Sequence, residues 1–576
     1  MAQVKQRKVK CVVPEWAQDA VWYQIFPERF RNGCPASNPR LSDITDHKVP
    51  GWKVTPWGRD WYAPDSWVKD HGHRYAIFAR RYGGDLVGII EKLDYLQELG
   101  VNALYLNPVF TARSMHKYDA ATFHHVDPTF GPDRAGDLKA LAAAQETEDP
   151  ATWIWTAADR CLLDLIREVH ARGMRIILDG VFNHTGREFF AFADILKRGR
   201  ESRYADWFLI KKWNPDGSPV YDGWFGHHSL PEFNRTDDDL LPPVRQYVFD
   251  ITRRWMDPDG DGDLSKGIDG WRLDVAFCVP HGFWRAWRKH VKSINPEAYV
   301  TAEIVADARE YVQGDQFDAV MNYMWLYPSV AYFRPQKRPL AMSTFKRRLD
   351  RLREAYPEPV TPVLQNLLDS HDVGRVVSML ENAELPIKDW EDYFHVARVK
   401  QSPTFRTRRP SPATWQALRQ LVIFQMTYPG APMLYYGTEV GMWGANDPDN
   451  RQPMLWDDIR YEPEAHGPGG QPLDTRTPRA PDHELFAFFQ QAIRLRHDHI
   501  ALRRGGFEWF ATGRPRLLGL LRTHKKERIL TLLNTSDKDI RYTSSPAGKD
   551  LWYTPGQRLK AGELTVPARG WQILAL

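Results

Sequence analysis

The run DGWRLDVA, Asp269 to Ala276, decides how the rest of the chain reads. Trp271, Leu273 and Val275 alternate with Arg272 and Asp274, which is the two-residue period of a strand and not the period of a helix. Side chains two apart leave an extended chain on the same face. Arg272 and Asp274 therefore stand together at the strand's end, where they can meet one small ligand. Three other runs share this shape, an apolar β-rich stretch that ends in acids, histidine or amides: RIILDGVFNH (Arg175 to His184), AYVTAEI (Ala298 to Ile304) and VLQNLLDSHD (Val363 to Asp372).

Outward from these runs the chain alternates. An apolar strand AVWYQIF (Ala20 to Phe26) follows a tail of residues 1–19, and a long Trp, Pro and Gly-rich segment then runs to about Gly84. Next come a helical pattern over Leu86 to Leu99, strand Ala103 to Phe110, a helix over Ala157 to Arg172 and strand Met174 to Phe182. After an aromatic, irregular insertion over 183–241 the alternation resumes with helix Val244 to Met256, strand Gly270 to Val275, helix Phe283 to Val291 and strand Tyr299 to Glu303. It continues through DAVMNY (Asp318 to Tyr323), a helix near Ser343 to Ala355, VLQNLLDS (Val363 to Ser370), a helix near Thr414 to Met426 and APMLYYG (Ala431 to Gly437). Eight strands separated by helices predict an α/β fold, a (β/α)8 TIM barrel, in which functional residues sit where strands end. The barrel is expected in two parts, 20–182 and 242–506, with 183–241 inserted after the third strand. From about Phe507 the texture changes to short β runs with turns, so 507–576 reads as a small antiparallel β domain.

Composition narrows the partners. At 576 residues the chain is far past the roughly 250–300 at which one core stops growing, so a main domain with a satellite is expected. The 77 basic and 73 acidic residues leave a net charge of +4 without a basic cluster, which does not point to nucleic acid. No run of about 18 apolar residues occurs, so no membrane span is expected. The N-terminus lacks the apolar stretch of a signal peptide, and a cytoplasmic location is the simplest expectation. Cys11, Cys34, Cys161 and Cys278 show no metal-like spacing and read as reduced thiols.

On the barrel frame four polar strand ends converge on one rim. Asp179, Asn183 and His184 follow the third strand, Arg272 and Asp274 end the fourth, Glu303 ends the fifth, and His371 with Asp372 follow the seventh. Clustered carboxylates disfavour one another's ionisation, so such a grouping implies a task. Two carboxylates flanking a glycosidic bond, with a third acid beside them, suit hydrolysis through an oxocarbenium-like transition state. No P-loop, dinucleotide glycine fingerprint or serine elbow competes, and no Schiff-base lysine stands among these runs.

Those four runs resemble the four ordered motifs of the α-amylase family of glycoside hydrolases, family thirteen: DGVFNH (Asp179 to His184), GWRLDVA (Gly270 to Ala276), AEIVADA (Ala302 to Ala308) and LLDSHD (Leu367 to Asp372). The resemblance implies Asp274 as nucleophile, Glu303 as general acid/base and Asp372 as transition-state stabiliser, with Arg272, His184 and His371 lining the subsite of the cleaved sugar. Two more motifs carry over. HKYDAATF (His116 to Phe123) looks like the loop whose tyrosine, here Tyr118, stacks on that sugar, and NDPDNRQPMLW (Asn446 to Trp456) like the loop whose arginine, here Arg451, binds its hydroxyls. YQIFPERFRNG (Tyr23 to Gly33) and the run Val279 to Tyr299 are similar to the neopullulanase and cyclomaltodextrinase group. The insertion would be that family's domain B and the last segment its domain C. The chain departs from the group in LPEFN (Leu230 to Asn234), where MPKLN is usual, and in Phe277 and Cys278 after the nucleophile motif. That group usually carries a carbohydrate-binding β domain ahead of the barrel; with about nineteen residues before the first strand, dimerisation through such a domain is not expected and the oligomeric state stays open.

The resemblance implies no cofactor for catalysis and a structural calcium held by Asn32, Asn38, Gly83 and Asp85. Independently, DPDGDGD spaces Asp257, Asp259, Asp261 and Asp263 like the start of an EF-hand loop, although position twelve is Ile268. The expected partner is an oligosaccharide. Three function classes follow: a retaining hydrolase of α-1,4 bonds in maltooligosaccharides, extending to cyclodextrins or pullulan; a transglycosylase or isomerase using the same intermediate; or an inactive glucan-binding barrel. In the segment after the first strand, Trp52, Trp57, Trp61, Tyr62, Trp67, Tyr75 and Tyr82 would either offer stacking faces to sugars at the cleft or pin the segment to the barrel.

Overall fold

In the computed structural model, which describes residues 11–45, 49–67, 73–335, 340–385, 387, 389–400, 402, 404–542, 548–554 and 564–576, the eight strands form one parallel sheet. They are β1 (Trp22–Ile25), β2 (Ala103–Leu106), β3 (Arg175–Gly180), β4 (Gly270–Leu273), β5 (Tyr299–Ala302), β6 (Ala319–Val320), β7 (Gln365–Leu367) and β8 (Ala431–Tyr435). Neighbours follow sequence order around the sheet, β8 pairs with both β1 and β7, and a parallel bridge between Met321 and Gln365 joins β6 to β7 and closes the barrel. Every residue of β1, β2, β4 and β5 is buried, because the barrel's interior and its helical coat cover both faces.

Helices cover the strands through apolar stripes. Helix α1 (Ala157–Ala171) opens on a capping box between Thr156 and Asp159 and buries Leu162, Leu165, Ile166 and Val169. Pro residues start α2 (Pro242–Met256), where a missing amide hydrogen costs nothing. In α3 (His281–Ile294), Phe283, Trp284, Trp287 and Val291 fall on one face, and all are buried.

Two expectations from the sequence are corrected. The helix expected over Leu86 to Leu99 is two, Leu86–Glu91 and Leu93–Leu99, separated by a turn at Lys92. The strand expected over Asp318 to Tyr323 keeps only Ala319 and Val320, and Tyr323 instead begins α4 (Tyr323–Phe333). All of α4 except Met324 is buried, so its residues are apolar on every side and show no helical period.

Residues 183–241 leave the barrel after β3 as a short helix (Phe190–Arg198) and a hairpin of Ile210–Trp213 with Pro219–Tyr221. The C-terminal part is a five-stranded antiparallel sheet built from Gly506–Phe510, Leu517–His524, Glu527–Asn534, Trp571–Ala575 and Lys549–Tyr553. All four cysteines are free.

In the segment after β1 the pinning role holds for most of the aromatics. Trp61, Tyr62 and Tyr82 are buried in a small core with Ile77. The Arg29 guanidinium lies 4.6 Å from the Tyr82 ring, and the Trp61 and Tyr82 planes are 17° apart. Trp61 Nε1 donates to Asp449 Oδ1 at 3.0 Å and Trp57 Nε1 to the Met454 carbonyl at 2.8 Å. These bonds fasten the segment to the loop that carries Arg451. Residues 1–10 of the tail and the Tyr75 side chain lie outside the described residues.

Candidate active site

Strand register places the centre of the site. Asp179 in β3 pairs laterally with Arg272 in β4, and Leu273 pairs with Ala302, the residue before Glu303. The fully buried Arg272 therefore reaches several strand ends at once: Nη1 lies 2.8 Å from Asp179 Oδ1 and 2.9 Å from Asp274 Oδ1, while Nη2 lies 3.0 Å from Glu303 Oε2 and 3.9 Å from Asp372 Oδ2. Val275, directly after Asp274, takes the left-handed conformation with φ of 38°, costly for a β-branched residue and characteristic of functional turns. Its amide donates to Glu303 Oε2 at 3.0 Å, so the strained turn ties Asp274 and Glu303 together.

One guanidinium cannot neutralise four acids. Burial, with the nearby Glu303, pushes the Asp274 carboxyl well above the usual range against the pull of Arg272. Asp179 is also raised, by burial, with Arg272 opposing. Burial and Glu303 push Asp372 up to about 8, although its side chain keeps 28% exposure and water will soften that shift. The protons on this cluster belong to the group and not to single residues.

The Asp372 shift carries a stability prediction. A carboxyl raised in the folded state, against roughly 3.9 in the unfolded chain, favours folding while protonated. That contribution is fully present below the unfolded value and is lost as pH rises through about 8. Asp372→Asn should therefore raise Tm over wild type by about 1–3 °C near pH 9, and the gap should close towards about pH 4. Calorimetric scans across pH check this; a gap independent of pH would contradict it.

Tyr118 and His371 form the floor beside this cluster. Their rings stack at 5.4 Å and 6°. Gln24 Nε2 donates to His371 Nδ1 at 2.9 Å, so the remaining imidazole hydrogen sits on Nε2, 2.6 Å from the Tyr118 hydroxyl. That hydroxyl in turn donates to Asp179 Oδ2 at 2.8 Å. Burial, then Arg451 and Arg272, hold His371 well below its ordinary pKa, so it is a neutral donor of fixed tautomer. Gln24, Asn107 and Tyr105 complete this network. Sequence reasoning passed over them; the signal was an amide, Gln24, inside the otherwise apolar first strand.

Arg451 closes one side. Its Nε donates to the His371 carbonyl at 2.9 Å, and Nη2 lies 3.8 Å from Asp372 Oδ1. His184 closes the other, and its neighbour Glu232 in the LPEFN run forms a bridge with it. Arg235 holds this junction through Asn183 Oδ1 at 2.7 Å and Glu232 at 2.8 Å. His184 stacks on Trp224 at 5.4 Å, and its Nε2, like Asp372 Oδ2, is buried without a hydrogen-bond partner among the described residues. Such atoms suit the hydroxyls of a bound sugar. Phe225 and Phe277 are exposed large apolar groups, at 73% and 41%. All eight residues expected at the catalytic and sugar-binding positions thus come together on one barrel mouth.

The two acidic or amide clusters expected to hold calcium differ. In the Asp257 loop the Lys266 ammonium lies 2.7 Å from both Asp259 and Asp261 and 3.8 Å from Asp263. Asp257 Oδ1 accepts the Gly262 amide and Asp261 Oδ1 the Asp263 amide. A lysine fills the centre of this turn, so Asp257, Asp259 and Asp261 do not fit a calcium site. Near Gly83 the residues do fit. Asn32 Oδ1 is buried without a partner while its Nδ2 points at Asn38 Oδ1 and the Tyr82 carbonyl, at 2.8 and 3.2 Å. A half-turn of this amide presents three oxygens to one point, as a hard cation requires. Gly83, at φ 77°, comes so close that a Cβ would lie 2.1 Å from Asn38 Oδ1. Asp85 accepts the amides of Gly33, Cys34 and Gly88, while burial pushes its carboxyl up to about 6 against those bonds.

Comparison with known proteins agrees with this geometry. Residues 24–149 and 157–505 match the family model described as the alpha amylase catalytic domain. Neopullulanase 2 of Thermoactinomyces vulgaris is 35% identical over 98% of this chain and 78% of its own length. A cyclomaltodextrinase of Geobacillus thermopakistaniensis is 34% identical over 91% of this chain and 70% of its own. Among solved structures, a cyclic alpha-maltosyl-(1→6)-maltose hydrolase from Arthrobacter globiformis superposes with a TM-score of 0.70 at 27% identity, covering 98% of this chain and all of that one. A closed barrel whose rim carries Asp274, Glu303 and Asp372 around Arg272, and a family model matched over most of the chain, place this protein in the alpha-amylase family.

Proposed function

We propose that the chain is a retaining glycoside hydrolase that cleaves α-1,4-glucosidic bonds in maltooligosaccharides and in related small or cyclic α-glucans. The observation that carries this is the single buried guanidinium of Arg272 joining Asp274 and Glu303 at the barrel mouth. Asp274, oriented by Nη1, attacks the anomeric carbon while Glu303 protonates the leaving oxygen; water then hydrolyses the glycosyl ester, with Glu303 now taking the proton. Asp372, His371 and Arg451 hold ring hydroxyls, and Tyr118 offers its ring face to the sugar. The relatives named neopullulanase and cyclomaltodextrinase support small α-glucans as the substrate class.

The segment after β1 supports a preference for short substrates, since Trp57 and Trp61 fasten it against the Arg451 loop. Early products from maltotriose, pullulan, starch and each cyclodextrin, with the anomeric form followed by NMR, test the proposal. Prompt α-anomer and a higher kcat/KM on maltotriose or cyclodextrins than on starch are expected. Prompt β-anomer would refute retention. Transfer to a labelled acceptor sugar in place of water would instead show a transglycosylase.

Calcium belongs to the same proposal as a structural ion held by Asn32, Asn38, Gly83 and Asp85, away from the chemistry. Chelation should then lower Tm, and added calcium should restore it by mass action. Asp259→Asn should leave that response intact and Asn38→Leu should remove it. A Tm indifferent to calcium would exclude the site.

A further inference from the structure

We propose that His124, His125 and Glu146 form a binding site for a divalent transition metal of the zinc type, a clamp outside the catalytic rim. The two imidazoles and the carboxylate each offer a ligand atom, all within 4.8 Å of one another. His125 Nε2 lies 2.9 Å and His124 Nε2 3.5 Å from Glu146 Oε2. Zinc bonded at about 2.0–2.1 Å in a tetrahedron has ligands about 3.3 Å apart, which these distances bracket.

Proton accounting supports a cation between them. His125 Nδ1 is 2.8 Å from Asp159 Oδ2, and a carboxylate accepts, so the hydrogen of the neutral ring sits on Nδ1. His124 Nδ1 is 2.8 Å from Thr122 Oγ1 and 2.9 Å from the Tyr247 hydroxyl, groups that can either accept from it or donate to it. The Nε2 lone pair of the neutral His125 ring then faces the Glu146 carboxylate at 2.9 Å, two acceptors that a positive charge between them, a proton or a metal, stabilises. One proton can bridge one imidazole to Glu146; a metal engages both. The Asp159 to His125 contact is the carboxylate–histidine support that metal-binding imidazoles usually carry.

The surroundings are built for this geometry. Trp153 stacks on His124 at 4.4 Å and 2°, and the Ile154 amide donates to Glu146 Oε1 at 2.7 Å. Glu146 keeps 15% side-chain exposure, so the cluster touches solvent on the carboxylate's side. Arg254, 3.3 Å from Asp159, is the charged neighbour on α2; with Glu146 and Asp159 it leaves one net negative charge for the cation. Two imidazoles select zinc, nickel or copper over calcium or magnesium. The three ligands join the loop that bears Tyr118 to the segment ahead of α1, and a bound metal should stiffen that loop.

Titration of the full-length, metal-stripped chain with Co2+ and then Zn2+ tests the proposal. One equivalent of Co2+ should give the visible d–d bands of a low-coordinate site, Zn2+ should displace it, and Zn2+ should raise Tm by several degrees. Glu146→Gln and His124→Gln should each abolish the bands and the Tm response while keeping maltotriose turnover. Absent bands with an unmoved Tm, or bands that survive in both variants, would overturn the proposal, the first leaving a proton-bridged His125–Glu146 pair. Should one variant fail to fold, the wild-type spectrum and the other variant decide.

Discussion

Asp274→Asn is expected to lower kcat by roughly four orders of magnitude while leaving oligosaccharide binding within about tenfold of wild type. The substitution keeps shape and removes the attacking oxygen's charge. Arg272 Nη1, which lies 2.9 Å from Asp274 Oδ1 and 2.8 Å from Asp179 Oδ1, retains Asp179 as partner, so the rim should stay assembled. Single-turnover kinetics with maltotriose, alongside binding by calorimetry, separate the two effects. Turnover above about a tenth of wild type would remove Asp274 from the role of nucleophile.

Arg272→Met is expected to be the most damaging single change to the fold of the site. Removing one partner of a buried ionic cluster costs about 3–5 kcal/mol, because the remaining charges stay buried without compensation. Here Asp179, Asp274, Glu303 and Asp372 would all face one another. Activity should fall below about a thousandth of wild type, and Tm should fall most at alkaline pH, where the acids are driven to ionise. Arg272→Lys should recover more stability than activity, since an ammonium supplies the charge but not the planar fork that spans Asp274 and Glu303. A variant of either kind with wild-type Tm across pH would refute the account of Arg272 as the cluster's counter-charge.

Strand ends were legible because each is a short apolar run that stops on polar residues, and the rim residues Asp274, Glu303, Asp372, His184 and His371 all lie at such stops. Helices with a wet face, such as Ala157–Ala171, show their period. Helix α4 did not, because burial on all sides erases the alternation from which a helix is recognised. The Asp257 loop reads differently in sequence and in space. Its carboxylate spacing is read along the chain, whereas the pairing of the Lys266 ammonium with Asp259 and Asp261 appears only once the turn is folded.

By itself, then, the sequence determined the barrel, its eight strands in order, the polar residues gathered at its mouth and the β domain that follows, since strand period and polar strand ends are properties of neighbouring residues. Only the tertiary structure decided how these groups are charged and joined. That Arg272 meets four acids, that Gln24 fixes the tautomer of His371, that Trp57 and Trp61 pin a segment to the Arg451 loop, and that Glu146 reaches His124 and His125 all depend on atoms brought within about 3–4 Å across long stretches of chain. Distance and burial set the strength of such contacts, and neither is written in the spacing of residues along the chain.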